Sequence, residues 1–409
     1  MLRAGPPAAV DIGATARARR SDAWLASVPT VSAGQLVATE ADDAPLLPDY
    51  AGANVRGIVP ALLGPGDWSS LPGWFPEPAR HARQAVLLVL DGLGWDQLQS
   101  HRRQLPVLSS LAASTLTTVA PTTTATALSS ISTGLTPGEH GLIGYRMYLQ
   151  GEVINVLRWV AAGGDRRRSL PPREVQPFAA FLGADVPVIS PAELERTAFT
   201  EAHLRGSRPV GYRAASAIAV EIGRQLRAGE RFVYAYYGGV DKTAHERGFG
   251  EFYDAELRAA DRIVGDILDA LVPGSTLLVT ADHGQVEVGD RVIAPDPDLL
   301  DMVALQSGEG RFRWWHASRG AAAELLAGAT ARYGDVAWVV TREQTVDEGW
   351  FGATVAPPVL GRLGDVALVA RDPVSFFDPN DAGPFELVCR HGSLTAAEVL
   401  VPLLASVPS

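Results

Sequence analysis

The segment Leu277-Leu278-Val279-Thr280-Ala281-Asp282-His283-Gly284 points most directly to the fold of this 409-residue chain. Its apolar residues predict a β-strand that ends in a carboxylate, an imidazole and a glycine. Parallel strands of α/β proteins carry their chemistry at their carboxyl ends. Neighbouring residues on a strand point to opposite faces, so Asp282 and His283 can share a site only where the strand breaks. Gly284 permits that break.

Three further segments have the same form, an apolar run that leads to an Asp or a His. They are residues 85–94, 232–241 and 386–392. His245 follows Asp241 by four positions, the spacing that puts two side chains on one face of a helix. Oxygen and nitrogen ligands favour zinc or manganese over calcium, and six of them suffice for two ions with an open position each. The six candidate ligands are Asp91, Asp241, His245, Asp282, His283 and His391.

Residues 121–128, with the sequence PTTTATAL, lead into a predicted short helix at 125–132 that ends at Thr133-Gly134. A hydroxyl at the start of a helix lies among unpaired N–H groups at the positive end of the helix dipole, which is an anion site. A metal ion beside it would lower the pKa of the hydroxyl and make it a nucleophile. A simple N-cap threonine in a Ser/Thr-rich turn explains the same residues, so this segment alone leaves both interpretations open.

Taken in order, these motifs resemble the type I phosphodiesterase/nucleotide pyrophosphatase branch of the alkaline phosphatase superfamily. That branch has a Pro-Thr-x-Thr segment followed by Thr-Gly-x-x-Pro-x-x-His-Gly. In this chain the two correspond to residues 121–124 and 133–141, without insertion or deletion. The resemblance extends from Asp91 to Gly392 in unbroken order.

The resemblance implies roles for individual residues. Thr124 corresponds to the nucleophile, which attacks phosphorus, forms a phospho-threonine intermediate and reaches the metals. The implied cofactor is a pair of divalent ions, with zinc as the first choice and manganese as the alternative. One ion would be held by Asp241, His245 and His391, and the other by Asp91, Asp282 and His283.

One position departs from the family pattern. The family commonly has an asparagine three residues after the nucleophile, and Ala127 cannot donate its hydrogen bond to a phosphoryl oxygen. We expect a substitute donor, either the backbone N–H groups at the helix start or the hydroxyl of Thr126. Tyr145 and Arg146 follow the nucleophile helix and are further candidates for substrate contact, as is His316 beside two tryptophans. Arg146 could equally pair with a carboxylate, and His316 could equally pack inside its own region.

Two other histidines are expected to lie outside the chemistry. His140 precedes a glycine in a tight turn and is interpreted as a structural hydrogen-bonding residue. His203 is expected on a polar loop or a helix surface.

The composition agrees with a soluble enzyme: 47% of the residues are hydrophobic, enough for one large core or two domains. The net charge of −11 disfavours a nucleic-acid duplex as partner. The single cysteine, Cys389, agrees with a reducing compartment. The chain has no apolar run long enough to span a membrane, and its first 50 residues lack the continuous apolar stretch of a signal peptide. We therefore expect a cytoplasmic protein, with its oligomeric state left open.

Alternation of predicted strands and helices from Gln84 to Gly284 indicates an α/β fold with a doubly wound, mostly parallel central sheet flanked by helices. Apolar residues at helical spacing predict a long helix at 251–271. Residues 291–375 contain no candidate ligand and are interpreted as an inserted α+β cap that selects the substrate. The predicted division is an N-terminal arm, partly ordered, at 1–80, a metal-binding catalytic core at 81–290 and 376–409, and the cap at 291–375.

The predicted function is a two-zinc phosphodiesterase or nucleotide pyrophosphatase that acts on a small phosphate ester, nucleotides included. Hydrolysis of phosphomonoesters or phosphonates is the first alternative. Monoesters carry about one more negative charge than diesters, and residues 125–127 offer no positive group beside Thr124, which favours diesters. An alternative of another class is a catalytically silent, metal-stabilised binding protein, although neither a ligand nor the nucleophile is missing.

Overall fold

The computed structural model describes residues 44–381 and 386–408. Its strands are β1 (Gln84–Leu90), β2 (Ala112–Thr117), β3 (Arg146–Leu149), β4 (Glu152–Asn155), β5 (Val160–Ala161), β6 (Gly164–Asp165), β7 (Pro187–Pro191), β8 (Arg208–Tyr212), β9 (Phe232–Tyr237), β10 (Ser275–Thr280), β11 (Val286–Glu287), β12 (Val292–Ile293), β13 (Val303–Glu309), β14 (Phe312–Ala317), β15 (Ala337–Thr341), β16 (Val366–Ala370), β17 (Ser375–Phe376), β18 (Cys389–Arg390) and β19 (Leu400–Ala405).

Its α-helices are α1 (Ile58–Leu63), α2 (Trp95–His101), α3 (Pro106–Ser110), α4 (Thr124–Thr133), α5 (Pro137–His140), α6 (Pro172–Val175), α7 (Ala198–Leu204), α8 (Ala217–Arg227), α9 (Gly239–Arg247), α10 (Glu251–Ala270), α11 (Pro297–Leu300), α12 (Ala322–Tyr333), α13 (Arg342–Asp347), α14 (Pro357–Leu360) and α15 (Ala396–Val399). Short 3-10 turns connect several of them. In the described part of the chain, no helix combines the length and the apolar character needed to cross a membrane.

A seven-stranded sheet in the order β2-β19-β10-β1-β9-β7-β8 forms the centre of the molecule. Strand β1 pairs in parallel with β10 and β9, and β7 pairs in parallel with β9 and β8. Strand β19 runs antiparallel to both of its neighbours, β10 and β2. The prediction of a mostly parallel central sheet flanked by helices is confirmed.

Burial explains why these segments form strands and helices. Ala85 to Leu90 in β1 are all fully buried, as expected for a strand covered by helices on both faces. Helix α10 buries one face that includes Leu257, Val264 and Ile267, and its long predicted extent is confirmed. Truncating Leu257 to alanine would cost about 2–5 kcal/mol, because the dense core closes such cavities only in part.

The segment interpreted as a cap contains an antiparallel sheet in the order β13-β14-β16-β15. Helix α12 packs against β15 and β16. Trp315, Tyr333 and Leu368 belong to a hydrophobic cluster of this region. The α+β character expected of this segment is present, with a helix at Ala322–Tyr333 and strands that include Ala337–Thr341 and Val366–Ala370. The role of this segment in substrate selection stays a prediction.

Two features of the fold differ from the sequence-based expectations. A second antiparallel sheet, β3-β4-β5-β6, lies within the predicted core and was not expected. The strand expected within residues 386–392 is the two-residue β18, which pairs with β11 and not with the central sheet. The physical reason is that β19 takes the sheet position beside β10, which leaves the short apolar run before His391 a local pairing only.

Residues 1–43 of the predicted N-terminal arm lie outside the described residues. Residues 44–80 pack into the main core through buried side chains that include Val55, Ile58, Trp68 and Phe75. The indole Nε1 of Trp68 donates a hydrogen bond of 2.8 Å to a backbone carbonyl of α1, which fixes this segment internally.

Candidate metal centre

Five of the six candidate ligands lie at the carboxyl ends of the three adjacent strands β10, β1 and β9. Asp91 directly follows β1, and Asp282 and His283 follow β10. Asp241 and His245 both lie on α9, which begins just after β9. The backbone N–H of Asp241 donates to the carbonyl of Asp91 at 3.1 Å, which holds the start of α9 against the end of β1. Parallel strands thus bring these residues to one edge of the sheet.

The sixth candidate, His391, is held against the segment that leads into α4. Nδ1 of His391 lies 2.7 Å from the carbonyl oxygen of Thr122. The Thr122 hydroxyl accepts from the N–H of Gly392 at 3.0 Å and donates to the carbonyl of Ser393 at 2.9 Å. Sequence reasoning missed Thr122, because these contacts join segments that are far apart in the chain.

In the three candidate ligands His245, His283 and His391, Nε2 is unprotonated and carries a lone pair. The Nδ1 atom of each lies within hydrogen-bond distance of a backbone carbonyl, which can only accept, so Nδ1 carries the proton. Histidines that bind metals have this arrangement, since the second hydrogen bond fixes tautomer and ring orientation. The acceptors are Cys389 for His245 (2.7 Å), Thr122 for His391 (2.7 Å) and Gly284 for His283 (3.0 Å).

Asp241, His245 and His391 form the first group of ligand atoms. The Nε2 atoms of the two histidines face each other at 3.2 Å. Oδ1 of Asp241 lies 3.2 Å from Nε2 of His245 and 3.8 Å from Nε2 of His391. Two lone pairs and a carboxylate at these distances repel one another, and a shared cation removes that repulsion.

The second group is centred on His283. Its Nε2 lies 3.5 Å from Oδ1 of Asp91 and 3.4 Å from Oδ2 of Asp282. Both carboxyl oxygens are buried and have no hydrogen-bond partner among the described residues. Orphaned buried oxygens of this kind call for a cation. Asp241 also comes within ligand distance of Asp91 and His283, so it lies between the two groups.

The surroundings in this cluster disfavour the charged forms of Asp91, Asp282 and His391. Burial raises the pKa of Asp91 well above its usual range, and the carboxylates of Asp282 and Asp241 raise it further. Burial also raises the pKa of Asp282. Burial lowers the pKa of His391, as do the neighbouring His283 and His245. Divalent cations would reverse these penalties, because their charge dominates such a site. The residues present therefore suit two divalent ions.

Thr124 is the first residue of α4. Its hydroxyl donates a hydrogen bond of 3.1 Å to Nε2 of His283. Thr123 is the N-cap residue, but its side chain makes no capping hydrogen bond. The first N–H groups of the helix are therefore free of a side-chain cap. The helix ends at Gly134, whose φ of 75° is readily adopted by glycine. The start of α4 thus combines a hydroxyl with an anion-binding helix end.

Two side chains that orient the candidate ligands were not predicted. The Tyr236 hydroxyl donates to Oδ2 of Asp91. The amide Nε2 of Gln285 donates to Oδ1 of Asp241 at 2.8 Å. Tyr236 carries a weak signal, since it lies on β9 five residues before Asp241, but its partner is set by the pairing of β1 with β9.

Tyr145 and Arg146, both expected to contact substrate, have protein partners. The Arg146 guanidinium is buried, and its Nη1 pairs with Asp378 at 2.5 Å and with Asp381 at 2.6 Å. The Tyr145 hydroxyl accepts from the amide of Asn155 at 2.6 Å. The carboxylate-pairing alternative for Arg146 is the one that the structure contains. A substrate contact by either residue stays a prediction.

Thr126 and His316 complete the set of expected substrate contacts. Thr126 is fully buried in α4, and its hydroxyl has no partner among the described residues. His316 lies on β14, where Nε2 is 2.9 Å from the hydroxyl of Ser307 and the ring packs against Tyr148. Burial lowers the pKa of His316 to about 4, so the ring is neutral at physiological pH.

A cavity of about 200 Å³ lies beside Thr124, and neither Tyr145, Arg146 nor His316 lines it. Its lining residues include Leu128, Leu157, Phe199, His203, Tyr234 and Tyr236. His203 was expected on a surface but is only 5% exposed, because α7 turns it inward onto the ring of Phe199.

His140 has the structural role expected from sequence. It is buried, and Nδ1 accepts from the N–H of Leu142 at 3.1 Å. Nε2 therefore carries the proton and lies 2.8 Å from the hydroxyl of Ser130 on α4.

The fold and the cluster together define a protein of the alkaline phosphatase superfamily. The model of the type I phosphodiesterase/nucleotide pyrophosphatase family matches residues 85–393, and the chain belongs to that family. No curated protein matches the chain by sequence.

Solved structures share the fold at low sequence identity. An inactive murine ectonucleotide pyrophosphatase/phosphodiesterase 5 in complex with AMP is 14% identical with a TM-score of 0.59, over 79% of this chain and 87% of that one. Phosphonoacetate hydrolase from Sinorhizobium meliloti 1021 in complex with phosphonoformate is 18% identical with a TM-score of 0.58, over 80% and 90%. The human ectonucleotide pyrophosphatase/phosphodiesterase 5 is 15% identical with a TM-score of 0.57, over 79% and 87%.

Proposed function

We propose that the chain is a two-zinc phosphodiesterase that forms a covalent phospho-threonine intermediate. The observation that carries the proposal is the hydroxyl of Thr124 at 3.1 Å from Nε2 of His283, within a cluster in which Oδ1 of Asp91 and Oδ2 of Asp282 are buried without a hydrogen-bond partner among the described residues. A nucleophile at a free helix start and a metal-binding cluster are the two components that phosphoryl transfer requires.

Zinc suits a set of three aspartates and three histidines, with manganese as the alternative. Asp241, His245 and His391 would hold one ion, and Asp91, Asp282 and His283 the other. When bound, the ions would stabilise negative charge on the phosphoryl group and lower the pKa of an oxygen nucleophile.

The residues of the chain account for the remaining steps. Oγ1 of Thr124 loses its proton and forms a bond to phosphorus, the bond to the leaving ester oxygen breaks, and the proton given up by Thr124 is balanced by the one that the leaving oxygen takes up. Water then cleaves the threonyl phosphate and restores the hydroxyl. The uncapped N–H groups of α4 hold the phosphoryl oxygens, which supplies the donor that Ala127 lacks.

The lining of the cavity supports diesters over monoesters. Among the described residues, none that lines it is a Lys or an Arg, and a dianionic monoester would gain from such a group. We further propose that the substrate is small and that the protein works in the cytoplasm. The buried, unpaired thiol of Cys389 supports the second point.

The test is hydrolysis of bis(para-nitrophenyl) phosphate by the zinc-loaded protein. The Thr124→Ala variant should keep its metal but lose activity by on the order of a thousandfold or more. The Thr124→Ser variant should retain a measurable part, since serine offers the same oxygen. Thr123→Ala is the matched control, because that side chain makes no capping bond.

Each other outcome has a distinct meaning. A near-normal rate for Thr124→Ala would exclude the covalent mechanism. Faster hydrolysis of para-nitrophenyl phosphate or of a phosphonate would replace the diester assignment. Zinc binding without hydrolysis of any of these substrates would leave a silent metal-stabilised protein.

A further inference from the structure

The cavity beside Thr124 lies where part of a substrate would bind. Thr124 itself lines it, and so does Leu128, which lies one helical turn further along α4. Tyr234 and Tyr236 on β9 also line it, and Tyr236 contacts the candidate ligand Asp91. A group bound there is therefore directly attached to, or next to, the reacting phosphorus.

The lining of the cavity is uncharged. Among the described residues, those that line it include no Asp, Glu, Lys or Arg. Its one titratable imidazole is neutral at physiological pH, because burial lowers the pKa of His203 to about 4. Leu128, Leu157 and Phe199 give the walls an apolar character. A charged group would lose its hydration here without compensation.

One buried polar atom of the lining lacks a partner among the described residues. The hydroxyl of Tyr234 is buried and makes no hydrogen bond with the described residues. Buried hydroxyls in proteins are normally paired, so an acceptor on a bound group would satisfy it.

The volume limits the size of the bound group. At about 200 Å³, the cavity is somewhat larger than a cavity of about 150 Å³ that binds benzene. It is smaller than the roughly 300–1,000 Å³ of pockets for drug-sized ligands. A single substituted ring or a short branched chain matches this volume, whereas a complete nucleoside exceeds it.

The position also distinguishes between the two ester groups of a diester. In phosphoryl transfer the attacking and leaving oxygens lie roughly in line on opposite sides of phosphorus. The leaving group therefore points away from Thr124. The cavity that Thr124 lines must receive the group that stays on phosphorus.

We infer that this cavity binds the retained ester group of the substrate, and that this group is uncharged, largely apolar, about one ring in size and carries a hydrogen-bond acceptor. The inference rests on the proposed diesterase function and names its substrate class: small aryl or branched alkyl phosphodiesters.

Three substrates that release the same leaving group test the inference on the zinc-loaded protein. They are methyl para-nitrophenyl phosphate, bis(para-nitrophenyl) phosphate and the para-nitrophenyl ester of thymidine monophosphate. Because para-nitrophenolate leaves from each, differences in kcat/KM report on the retained group once each value is divided by the uncatalysed hydrolysis rate of the same substrate. The aryl ester should exceed the methyl ester by on the order of tenfold to a hundredfold, the gain from burying one ring. It should also exceed the nucleoside ester.

Two variants change the cavity in opposite directions. Leu157→Trp fills it and should reduce the aryl-to-methyl ratio by on the order of tenfold. Phe199→Leu enlarges it and should shift preference toward the nucleoside ester. Leu360→Trp, at an exposed position in α14, is the matched control and should leave both ratios unchanged. Each ratio compares two substrates on one preparation, so a loss of folded protein cancels.

Tyr234→Phe tests the acceptor separately. It should reduce the preference for bis(para-nitrophenyl) phosphate over phenyl para-nitrophenyl phosphate, which retains a phenyl group. The reason is that the nitro oxygens of the retained group lose their hydrogen-bond donor. An unchanged ratio would remove the acceptor from the inference.

The outcomes separate this inference from the proposed function. If no diester is hydrolysed, the proposed function fails. If diesters are hydrolysed at equal aryl and methyl rates, the function stands and the inference is wrong. A preference for the nucleoside ester would also overturn it. In that case a neighbouring cavity of about 380 Å³, which shares Thr197 and Thr200, would be part of one larger site.

Discussion

The carbonyl oxygen of Thr122 lies 2.7 Å from Nδ1 of His391, so the segment that carries the proposed nucleophile Thr124 also orients a candidate metal ligand. The hydroxyl of Thr122 adds two contacts to the same loop, at Gly392 and Ser393. Displacement of this loop would move the candidate metal ligand and the approach to Thr124 together.

Thr122→Val should destabilise the metal-free protein by about 2–4 kcal/mol, because the buried N–H of Gly392 and carbonyl of Ser393 each lose a partner. Urea denaturation measures this free energy of unfolding. Thr126→Val is the matched control: this hydroxyl is equally buried but has no partner among the described residues, so its removal should be neutral or stabilising. Equal losses in the two variants would contradict the role of Thr122.

Asp241→Ala should weaken both metal sites, because this carboxylate lies within ligand distance of both groups. His391→Ala and Asp282→Ala should each weaken one site and spare the other. Elemental analysis and titration with zinc give stoichiometry and affinity. Asp290→Ala removes an exposed carboxylate and should leave two ions bound. Unchanged affinity for the second ion in Asp241→Ala would show that this residue has no influence beyond the ion that it holds with His245 and His391.

Tyr236→Phe should lower metal affinity by about 10–100-fold, since partners that orient a ligand typically contribute that much. The variant removes the donor to Oδ2 of Asp91 and keeps the ring. Tyr237→Phe is its control, because that hydroxyl donates instead to Glu256 at 2.5 Å. Zinc titration of both variants gives the comparison, and matching affinities would exclude the proposed role for Tyr236.

Glu309 should make stability depend on pH. Burial raises the pKa of Glu309 from 4.5 to about 8. Its Oε2 accepts from the N–H of Tyr145 at 3.2 Å, and Oε1 is buried without a partner in the described part of the chain. The folded state therefore keeps a proton that the unfolded state releases above pH 4.5, so stability falls as pH rises toward about 8.

Glu309→Gln, a neutral mimic of the protonated acid, should raise the melting temperature at pH 8 more than at pH 5. Thermal unfolding at the two pH values, without metal, measures the difference. Glu324→Gln, at an exposed site on α12, should show no such dependence. An equal shift for Glu309→Gln at both pH values would mean that the carboxyl is ionised in the folded protein.

The buried strands and the long helix could be predicted from sequence because their signals are local. Residues 85–90 are all apolar and all buried in β1. The predicted helix 251–271 corresponds to Glu251–Ala270. The position of β19 had no such signal, because nothing in residues 400–405 identifies two distant strands as its partners.

The candidate site likewise contains residues whose place could be predicted from sequence and residues whose roles could not. Asp91, Asp282 and His283 follow strands whose apolar runs mark where the sheet ends, so their proximity could be predicted. Thr122 and Tyr236 could not be assigned, because each acquires its role through hydrogen bonds to segments remote in sequence. The small sheet β3-β4-β5-β6 was missed as well, since two of its strands contain only two residues each.

Because β19 lies between β2 and β10, the central sheet is completed only late in biosynthesis. Both neighbours leave the ribosome long before residues 400–405, and until then their facing edges stay unpaired and open to wrong partners. His391 emerges just ahead of β19, so the candidate ligands assemble at the same late moment. A nascent chain stalled before this point would have neither a closed sheet nor a complete metal cluster, and protection by chaperones would matter most there.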